Sequence, residues 1–402
     1  MIVSSENRPG RPGARLEGGL FSPLGLREAT LRNRCVISPM QIYAACADGR
    51  ATDWHFQHLA KFAVGGAGAV MTEALAVDPC GRNTYADLGI WEDAQVAPLS
   101  RIAAFLKANG AVAGAQLHHS GPRGSRRRPW DGLGPLDESD LARGEAPWLP
   151  VGPDARERRA GLSPSHPLSI GEIARLVDRF AAAARRCAAA DFDMLEVHAG
   201  HDYLIHSFLS PRLNARTDAY GGSLERRMRL ALEVAEAVRS HWPAGRPLAF
   251  RISCVDRDPG GWGLDDAVTL ARRLASLGVD LIDCSSSGTN DPSDRGRAPA
   301  LGFQVPYAAR LRADARVPTM AVGLIVAPHQ ADAIIRSGSA DLVAVGREAL
   351  FNPHWPLHAA RALGADAGWR NWPACYGWWL DARERTGMAD GVGQLDPKSE
   401  GC

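Results

Sequence analysis

The feature that most constrains the fold of this chain is a pattern that occurs eight times: a short apolar run followed by a longer segment with helical periodicity. Such continuous apolar runs are typical of strands buried on both faces, as in a parallel sheet covered by helices. Eight units in succession favour a closed (β/α)8 barrel over an open sheet. The runs are 35–40, 68–77, 111–119, 194–199, 248–254, 281–287, 319–324 and 342–350, and the predicted helices are near 54–65, 95–109, 170–190, 223–241, 265–278, 304–314, 327–337 and 354–363.

The barrel is predicted to be a single domain over residues 19–387, because α/β barrels often exceed about 250 residues as one unit. Residues 1–18 are rich in Gly, Pro and Arg and residues 388–402 are polar, so both are predicted to be flexible tails. An extended loop follows the third strand and reaches to about residue 169; loops of this length are usually functional or mobile. The Gly-rich stretch 65–70 precedes its strand, which favours a helix-ending turn over a dinucleotide-binding loop.

The composition argues against several classes of protein. The chain has 46 basic and 45 acidic residues, so its net charge of +1 gives no attraction to nucleic acid or to acidic membranes. No apolar run approaches the roughly 20 residues of a membrane span, and the N-terminus lacks the apolar core of a signal peptide. The eight cysteines are scattered singly, which argues against a zinc ribbon, an iron–sulfur cluster and a disulfide scaffold. We therefore expect a cytoplasmic protein with neither a nucleic-acid nor a membrane partner.

Enzymes with this barrel place their chemistry at the C-terminal ends of the strands. Here those ends carry hydrogen-bonding side chains and glycines, few carboxylates and no lysine, since Lys61 and Lys107 fall within predicted helices. The absence of a lysine argues against Schiff-base chemistry. His198 and His201 could be a metal pair, an acid–base pair or clamps for a ligand, but one HxxH after a strand is a weak metal signal and we predict no metal site. The pattern indicates a receptacle for a cofactor that supplies the difficult chemistry.

Several segments of the chain resemble the Old Yellow Enzyme family of FMN-dependent ene-reductases. The most specific is the run from Asn214 to Arg227, and agreement extends in order from about residue 20 to 385. A Trp-rich C-terminal segment is most similar to the thermophilic-like, xenobiotic-reductase branch of the family. The segments are "FSPLGLREATLRNRCVISPM", "GIWEDAQ", "EVHAGHDYLIHSFLSPRLNARTDAYGGSLERRMR", "AVGREALFNPHW" and "NWPACYGWWLDARER".

The resemblance implies a tightly bound, non-covalent FMN that is reduced by NADPH or NADH and then reduces the activated C=C bond of an α,β-unsaturated carbonyl or nitro compound. His198 and His201 match the pair that hydrogen-bonds the oxygen of a ligand stacked on the flavin. Two N–H donors at one oxygen would stabilise the charge that builds up there. Tyr203 matches the family's proton donor, and a phenol stays protonated at neutral pH. Tyr43 resembles a substrate-side tyrosine, and His206 is expected to be structural.

The resemblance also implies which residues of this chain contact the flavin. The implied cofactor-binding residues are Ser38, Pro39, Met40, Gln41 and Ala74 along the ring, Gln116 and Arg251 at the pyrimidine edge, and Gly323, Gly346 and Arg347 around the phosphate. In the family a C-terminal aromatic residue or arginine reaches a neighbouring subunit's active site. This implies a homodimer or higher homo-oligomer with Trp379 at the substrate. Packing of Tyr376, Trp378 and Trp379 against the chain's own barrel is the alternative.

The sequence departs from the family pattern at three places. Gln41 stands where this branch usually has cysteine, which predicts a different flavin potential and substrate preference. Asp202 replaces the usual glycine; it either raises the pKa of the neighbouring phenol or faces solvent. The loop after the third strand contains four arginines that could meet the 2′-phosphate of NADPH or an anionic substrate, or form a solvated basic loop. They are Arg123, Arg126, Arg127 and Arg128.

Three functions remain open at this point. The leading interpretation is the ene-reductase. A specialised flavin-dependent biosynthetic oxidase, dehydrogenase or isomerase of a secondary metabolite is the alternative, favoured by the departures at Gln41 and Asp202. A flavin-binding or ligand-binding barrel without turnover is the third, but a mere binder has no need of a phenolic acid such as Tyr203.

Overall fold

The eight apolar runs form eight parallel strands that close into a barrel, in which the strands pair in chain order and the last pairs with the first. This confirms the predicted (β/α)8 barrel. The structure is a computed structural model and describes residues 18–156, 164–256, 260–287 and 299–386, so the predicted tails, apart from Gly18, lie outside the described residues. The strands are β1 (Cys35–Ile37), β2 (Ala69–Ala76), β3 (Val112–His118), β4 (Met194–Ala199), β5 (Leu248–Ser253), β6 (Leu281–Ser285), β7 (Thr319–Ala321) and β8 (Leu342–Val345).

A helix follows each strand and covers the outside of the barrel. Local signals in the sequence explain where these helices begin and end. Ser169 and Glu172 form a capping box at the start of the third helix, in which each residue's side chain accepts the other's backbone N–H. The first helix ends at Val64 with Gly65 as its C-cap, and Gly66 has a φ of 91°, so the Gly-rich stretch is the predicted helix-ending turn. The helices are α1 (Asp53–Val64), α2 (Val96–Ala108), α3 (Ile170–Ala189), α4 (Leu224–His241), α5 (Leu264–Ser276), α6 (Val305–Ala315), α7 (Pro328–Arg336) and α8 (Trp355–Ala362).

The interior of the barrel changes from apolar to polar along its axis. Side chains on a strand alternate between the inside and the outside, so Met194, Glu196 and His198 of β4 all face inward. The lowest inward residues are apolar and pack against a hairpin of two short strands, Leu24–Leu26 and Ala29–Leu31, which covers the N-terminal end. Polar inward residues therefore collect at the opposite end, where the loops after the strands form the mouth.

The outward residues of the strands form one continuous apolar layer with the helices. Leu195 and Val197 of β4, for example, share this layer with Phe180 of α3. Full burial of such a side chain contributes about 1.5–3 kcal/mol. This layer makes the barrel a rigid support for the mouth. No helix within the described parts of the chain is long and apolar enough to cross a bilayer.

The structure also differs from the prediction at particular elements. The last apolar run was predicted to extend to residue 350, but β8 ends at Val345 and a short helix, Arg347–Phe351, begins just after Gly346. The hairpin at the base of the barrel was not predicted, and neither was a C-terminal helix, α9 (Ala374–Arg385). The extended loop after β3 is confirmed; it contains short 3-10 turns and a pair of two-residue strands.

Candidate active site

Two histidines stand side by side at the barrel mouth. His198 is an inward residue of β4 and His201 lies in the loop that follows; His198 Nε2 is 3.1 Å from His201 Nδ1. The Gly200 N–H donates to His198 Nδ1 at 3.3 Å, which assigns the proton of a neutral His198 to Nε2, facing His201. His201 then carries its own proton on Nε2, for which the described residues offer no hydrogen-bond partner.

Both imidazoles are uncharged. Burial lowers the pKa of His198 well below its ordinary value, and the neighbouring rings of His201 and His118 lower it further. Burial also lowers the pKa of His201, followed by the positive charges of Arg251 and Arg123. No group of three or more His, Cys, Asp or Glu side chains that could hold a metal ion occurs in the parts of the chain that the structure describes. What the pair offers is therefore neutral N–H donors.

Tyr203 completes this cluster. It precedes a short helix, Leu204–Leu209, and its ring meets the edges of two histidine rings, with centroids 4.3 Å from His118 and 5.1 Å from His198. Burial raises the pKa of the Tyr203 phenol above its ordinary value, although the Arg123 guanidinium, 5.5 Å from the ring centroid, opposes this. A protonated phenol thus lies beside two neutral imidazoles.

A second tyrosine borders the mouth. Tyr43 has a φ of 56°, and its ring packs edge-on against Trp130 of the extended loop, with centroids 5.7 Å apart. Burial raises the pKa of Tyr43, and the nearby phenol of Tyr203 raises it further. The structure therefore brings the two predicted tyrosines to the same side of the mouth.

A layer of charged and polar side chains lies within the barrel below the histidines. Gln116 Nε2 donates to Glu196 Oε1 at 2.7 Å. Arg251 lies between Asp283, with Nε 3.3 Å from Oδ2, and Ser38, to whose Oγ its Nη1 donates at 3.0 Å. Burial raises the pKa of Glu196 and of Asp283, and the negative charge of Asp283 raises that of Glu196 further. Glu196 Oε2 and Arg251 Nε are buried without a hydrogen-bond partner, so this layer has capacity for an additional polar group.

The side chain of Gln41 is held by the protein at both ends of its amide. Its Oε1 accepts the Ala74 N–H at 2.9 Å, and its Nε2 donates to Asp87 Oδ2 at 3.1 Å. Asp87 is fully buried and also accepts hydrogen bonds from Asn83 and Thr84; burial outweighs them and raises its pKa to about 6. Gln41 therefore joins the loop after β1 to the end of β2.

The loop after β1 lies beside the loop after β8, because β1 and β8 are neighbouring strands of the barrel. Ser38 is buried, while Pro39 and Met40 are half-buried. A Cβ built on Gly346 would stand 3.8 Å from Met40 Sδ and 3.9 Å from Ser38 Cβ. The residues that were predicted to line a flavin ring are thus adjacent to Gly346, which was predicted to contact its phosphate.

Two glycines and an arginine form an open corner after β7 and β8. Gly323 has a φ of 106°, and a Cβ there would come within 2.7 Å of Gln304 Oε1, so this position needs glycine. Gly346 has no such obstruction. Arg347 begins the short helix after β8 and has no salt bridge to a described residue. Barrel enzymes frequently bind phosphate at this corner.

The loop arginines are engaged within the protein. Arg127 bridges Asp137 and Asp140 at 2.8 and 2.7 Å, and Arg128 lies 2.7 Å from Asp131. Arg123 and Arg126 donate to the backbone oxygens of residues 201 and 133. These contacts favour a structural role for the arginines over recognition of a 2′-phosphate.

Trp379 is not part of the histidine cluster. It lies on α9 with 68% of its surface exposed, and its ring contacts Trp378 at 4.5 Å between centroids. No ring contact among the described residues joins it to the mouth.

Sequence reasoning did not identify three carboxyl groups of the site. Glu196 and Asp283 could have been predicted from strand alternation. Each lies two residues before a mouth residue on its strand and therefore faces inward. Asp87 lies in a loop without periodicity, so its contact with Gln41 has no local signal.

Comparisons with known proteins show which family the chain belongs to. Residues 19–365 match the sequence profile of the NADH:flavin oxidoreductase / NADH oxidase family. The chain belongs to this family. The NADPH dehydrogenase of Geobacillus thermodenitrificans (strain NG80-2) is 39% identical over 360 residues, which cover 87% of this chain and 98% of that protein.

Solved structures give the same result. An old yellow enzyme homologue from Zymomonas mobilis is 25% identical with a TM-score of 0.70, over 86% of this chain and 93% of that one. Morphinone reductase is 26% identical with a TM-score of 0.70, over 86% and 90%. The resemblance to the Old Yellow Enzyme family is confirmed, and the protein is an FMN-dependent NAD(P)H oxidoreductase. Its place in the xenobiotic-reductase branch stays a prediction.

Proposed function

We propose that this flavoenzyme reduces the activated C=C bond of α,β-unsaturated carbonyl or nitro compounds. The observation that carries the proposal is the cluster of uncharged donors at the mouth, in which His198 and His201 are 3.1 Å apart and Tyr203 packs beside them. Donors without charge suit a neutral substrate whose oxygen becomes negative during the reaction.

The roles of these side chains follow from their protonation. When substrate binds, the His198 N–H would exchange its contact with His201 for the carbonyl or nitro oxygen, so that the N–H groups of both imidazoles hold this oxygen and stabilise the charge that develops there. Tyr203, with its raised pKa, delivers a proton to the carbon next to the activating group and recovers one from solvent. Bound FMN supplies the hydride.

The residues present fit this cofactor. Gln116 and Arg251 would hold the pyrimidine edge, where an amide and a guanidinium match its carbonyl oxygens. Pro39, Met40, Gln41 and Ala74, with Ser38, would line the ring. Gly323, Gly346 and Arg347 would hold the phosphate.

We also propose that the enzyme works as a homodimer or higher homo-oligomer in which Trp379 borders a neighbouring subunit's substrate. The exposed rings of Trp378 and Trp379 on α9 support this.

A colour test decides the reaction. The purified protein should be yellow, NADPH should bleach it without oxygen, and 2-cyclohexenone should restore the colour, whereas the saturated analogue cyclohexanone should not. Bleaching without restoration would instead favour the specialised oxidase, dehydrogenase or isomerase. A yellow protein that NADPH does not bleach would contradict both.

A further inference from the structure

We propose that Asp202 and His206 are positioning residues for the imidazole pair. Together with Asp256 and Arg123 they form a chain of ionic contacts, which holds the turn at residues 201–202 in the conformation that brings His201 to His198. The proposal rests on the function proposed above, because a ligand held by the two imidazoles is what this positioning would serve.

The turn itself is strained. His201 and Asp202 have φ values of 58° and 61°, so two consecutive residues with side chains adopt the left-handed conformation. This conformation is unfavourable for residues with a Cβ, although aspartate tolerates it better than most. Such backbone persists only where the surrounding structure holds it.

Contacts from two other loops hold this turn. The His201 N–H donates to Ser253 Oγ, at the end of β5, at 2.9 Å. From the loop after β3, Arg123 Nη1 donates to the His201 carbonyl oxygen at 3.0 Å and lies 3.8 Å from Asp202 Oδ2. Asp202 Oδ1 lies 3.3 Å from Nδ1 of His206, one helical turn further along the chain. The Asp202 carboxylate therefore lies between two cationic partners.

His206 extends the chain of contacts to the loop after β5. It has no exposed surface, and its Nε2 lies 3.1 Å from Asp256 Oδ1. The other oxygen of Asp256 accepts the Trp262 N–H at 2.7 Å and the Ser210 hydroxyl at 2.5 Å. Asp256 is thus fixed in place, and through it so is the ring of His206.

The charges in this chain of contacts are consistent with ion pairs. Burial opposes a charge on His206, but Asp202 and Asp256 outweigh it and raise its pKa to about 9. In the structure the Asp202 N–H donates to His206 Nδ1 at 3.2 Å. Protonation of the ring would exchange this hydrogen bond for one from Nδ1 to the Asp202 carboxylate, 3.3 Å away. Burial likewise opposes the charge on Asp202, and His206 and Arg123 lower its pKa below the ordinary value. Asp202 therefore does not simply face solvent; it is paired with Arg123 and His206, and its negative charge is one of the smaller causes that raise the pKa of the Tyr203 phenol, as the first of the two expectations had it.

The experiment measures ligand binding by the imidazole pair in the flavin-loaded enzyme. The probe is 4-hydroxybenzaldehyde, whose phenolate stacked on oxidised flavin gives a long-wavelength charge-transfer absorption. Asp202→Asn keeps the size of the side chain, and Asp202→Gly also relieves the backbone strain. We expect both variants to weaken probe binding by about tenfold, because small displacements of a positioned group are costly. FMN affinity should stay within about twofold, which also shows that the variants fold.

The matched control is Asp314→Asn, which removes a carboxylate at the end of α6, at the opposite end of the barrel. It should bind the probe as the wild type does. Unchanged probe binding in both Asp202 variants would overturn the proposal. Weaker binding in Asp202→Asn alone would also overturn it, because the carboxylate is absent from both variants.

A second measurement separates this proposal from the proposed function. In the full chain as purified, histidine ring NMR resonances are assigned with His206→Gln and His201→Asn. Asp202→Asn should lower the titration midpoint of His206 and shift the His201 ring signals; an unmoved His201 would overturn the proposal. If the wild type binds FMN but gives no charge-transfer band with the probe, the hypothesis that the two imidazoles bind a ligand is wrong. The NMR result then decides by itself whether Asp202 and His206 position His201.

Discussion

At the scale of single residues, the chemistry of the mouth depends on burial keeping its side chains uncharged. Burial lowers the pKa of His198 and His201 and raises that of Tyr203, so all three are neutral across the physiological range. Neutral donors interact weakly with an uncharged substrate and more strongly with an oxygen that becomes negative. This difference between ground state and transition state is what accelerates a reaction.

Replacement of Tyr203 by phenylalanine tests its role as acid. Tyr203→Phe should slow reoxidation of the reduced enzyme by 2-cyclohexenone by about 10²–10⁴-fold, the usual contribution of a general acid. Reduction by NADPH, which needs no proton from Tyr203, should change little. Stopped-flow absorbance separates the two half-reactions. Tyr220→Phe, which removes a hydroxyl that donates to Glu233 of α4, is the control. Equal slowing of both half-reactions would contradict the role.

Gln41 is a second single-residue test. Its amide bridges the Ala74 N–H and Asp87, and a cysteine cannot span both groups. Gln41→Cys should therefore free the Ala74 N–H, which would lie beside the flavin in the proposed binding mode, and shift both the flavin potential and the substrate preference. Dye-linked spectroscopic titration gives the potential, and a panel of enones and nitroalkenes gives the preference. If neither changes, Gln41 does not tune the site.

At the scale of elements, the apolar pattern predicted the barrel because each of its strands lies in a continuous apolar run and each of its helices is long enough to show its period. The hairpin strands Leu24–Leu26 and Ala29–Leu31 each have one buried residue and lie in no such run, so they lack that signal. The strand ending at Val345 was extended in the prediction because apolar residues continue into the helix Arg347–Phe351. His198, His201 and Tyr203 could be predicted as neighbours because they lie within six residues of one another in a single motif. The contact of His206 with Asp256, fifty positions away, depends on tertiary pairing that no local pattern encodes.

The loops after β4 and β5 are joined by His206, and this junction should make stability depend on pH. The carboxylates outweigh burial and raise its pKa from 6.5 to about 9. The contribution of protonated His206 to the free energy of unfolding is therefore fully present below about pH 6.5 and is lost as the pH rises through about 9. Its upper limit is about 3 kcal/mol. His206→Gln should be less stable than the wild type at pH 6, and the difference in stability between the two proteins should be smaller at pH 10.

Urea unfolding at a series of pH values measures this difference. His241→Gln, at the exposed end of α4, is the control and should follow the wild type at every pH. A stability difference between His206→Gln and the wild type that is the same at pH 6 and pH 10 would show that His206 is neutral in the folded protein.

The extended loop after β3 depends on ion pairs within itself. Arg127 neutralises Asp137 and Asp140, and Asp140 has no exposed surface. Arg127→Ala should make the loop more sensitive to limited proteolysis and should change the KM values for NADPH and NADH by the same factor. Arg175→Ala, an exposed arginine on α3, is the control. A selective rise in the KM for NADPH would restore the 2′-phosphate hypothesis.

At the scale of the whole molecule, the barrel separates stability from chemistry. The hairpin and the apolar lower layer close one end, while polar inward residues and loops form the other. Substitutions at the mouth should therefore alter catalysis more than folding. The balanced charge of the chain is consistent with a neutral substrate.

The last prediction concerns assembly. Trp378 and Trp379 are 61% and 68% exposed on α9, and adjacent exposed aromatic rings are typical of contact surfaces. Trp378→Ala with Trp379→Ala should lower the molar mass measured by light scattering and raise the KM for 2-cyclohexenone together, because one contact would serve both. Trp54→Ala, which removes a ring that is 61% exposed on α1, should change neither. If the double variant keeps the wild-type molar mass but has a raised KM, the rings lie at the mouth of their own chain. If neither quantity changes, the two rings are not part of the substrate site.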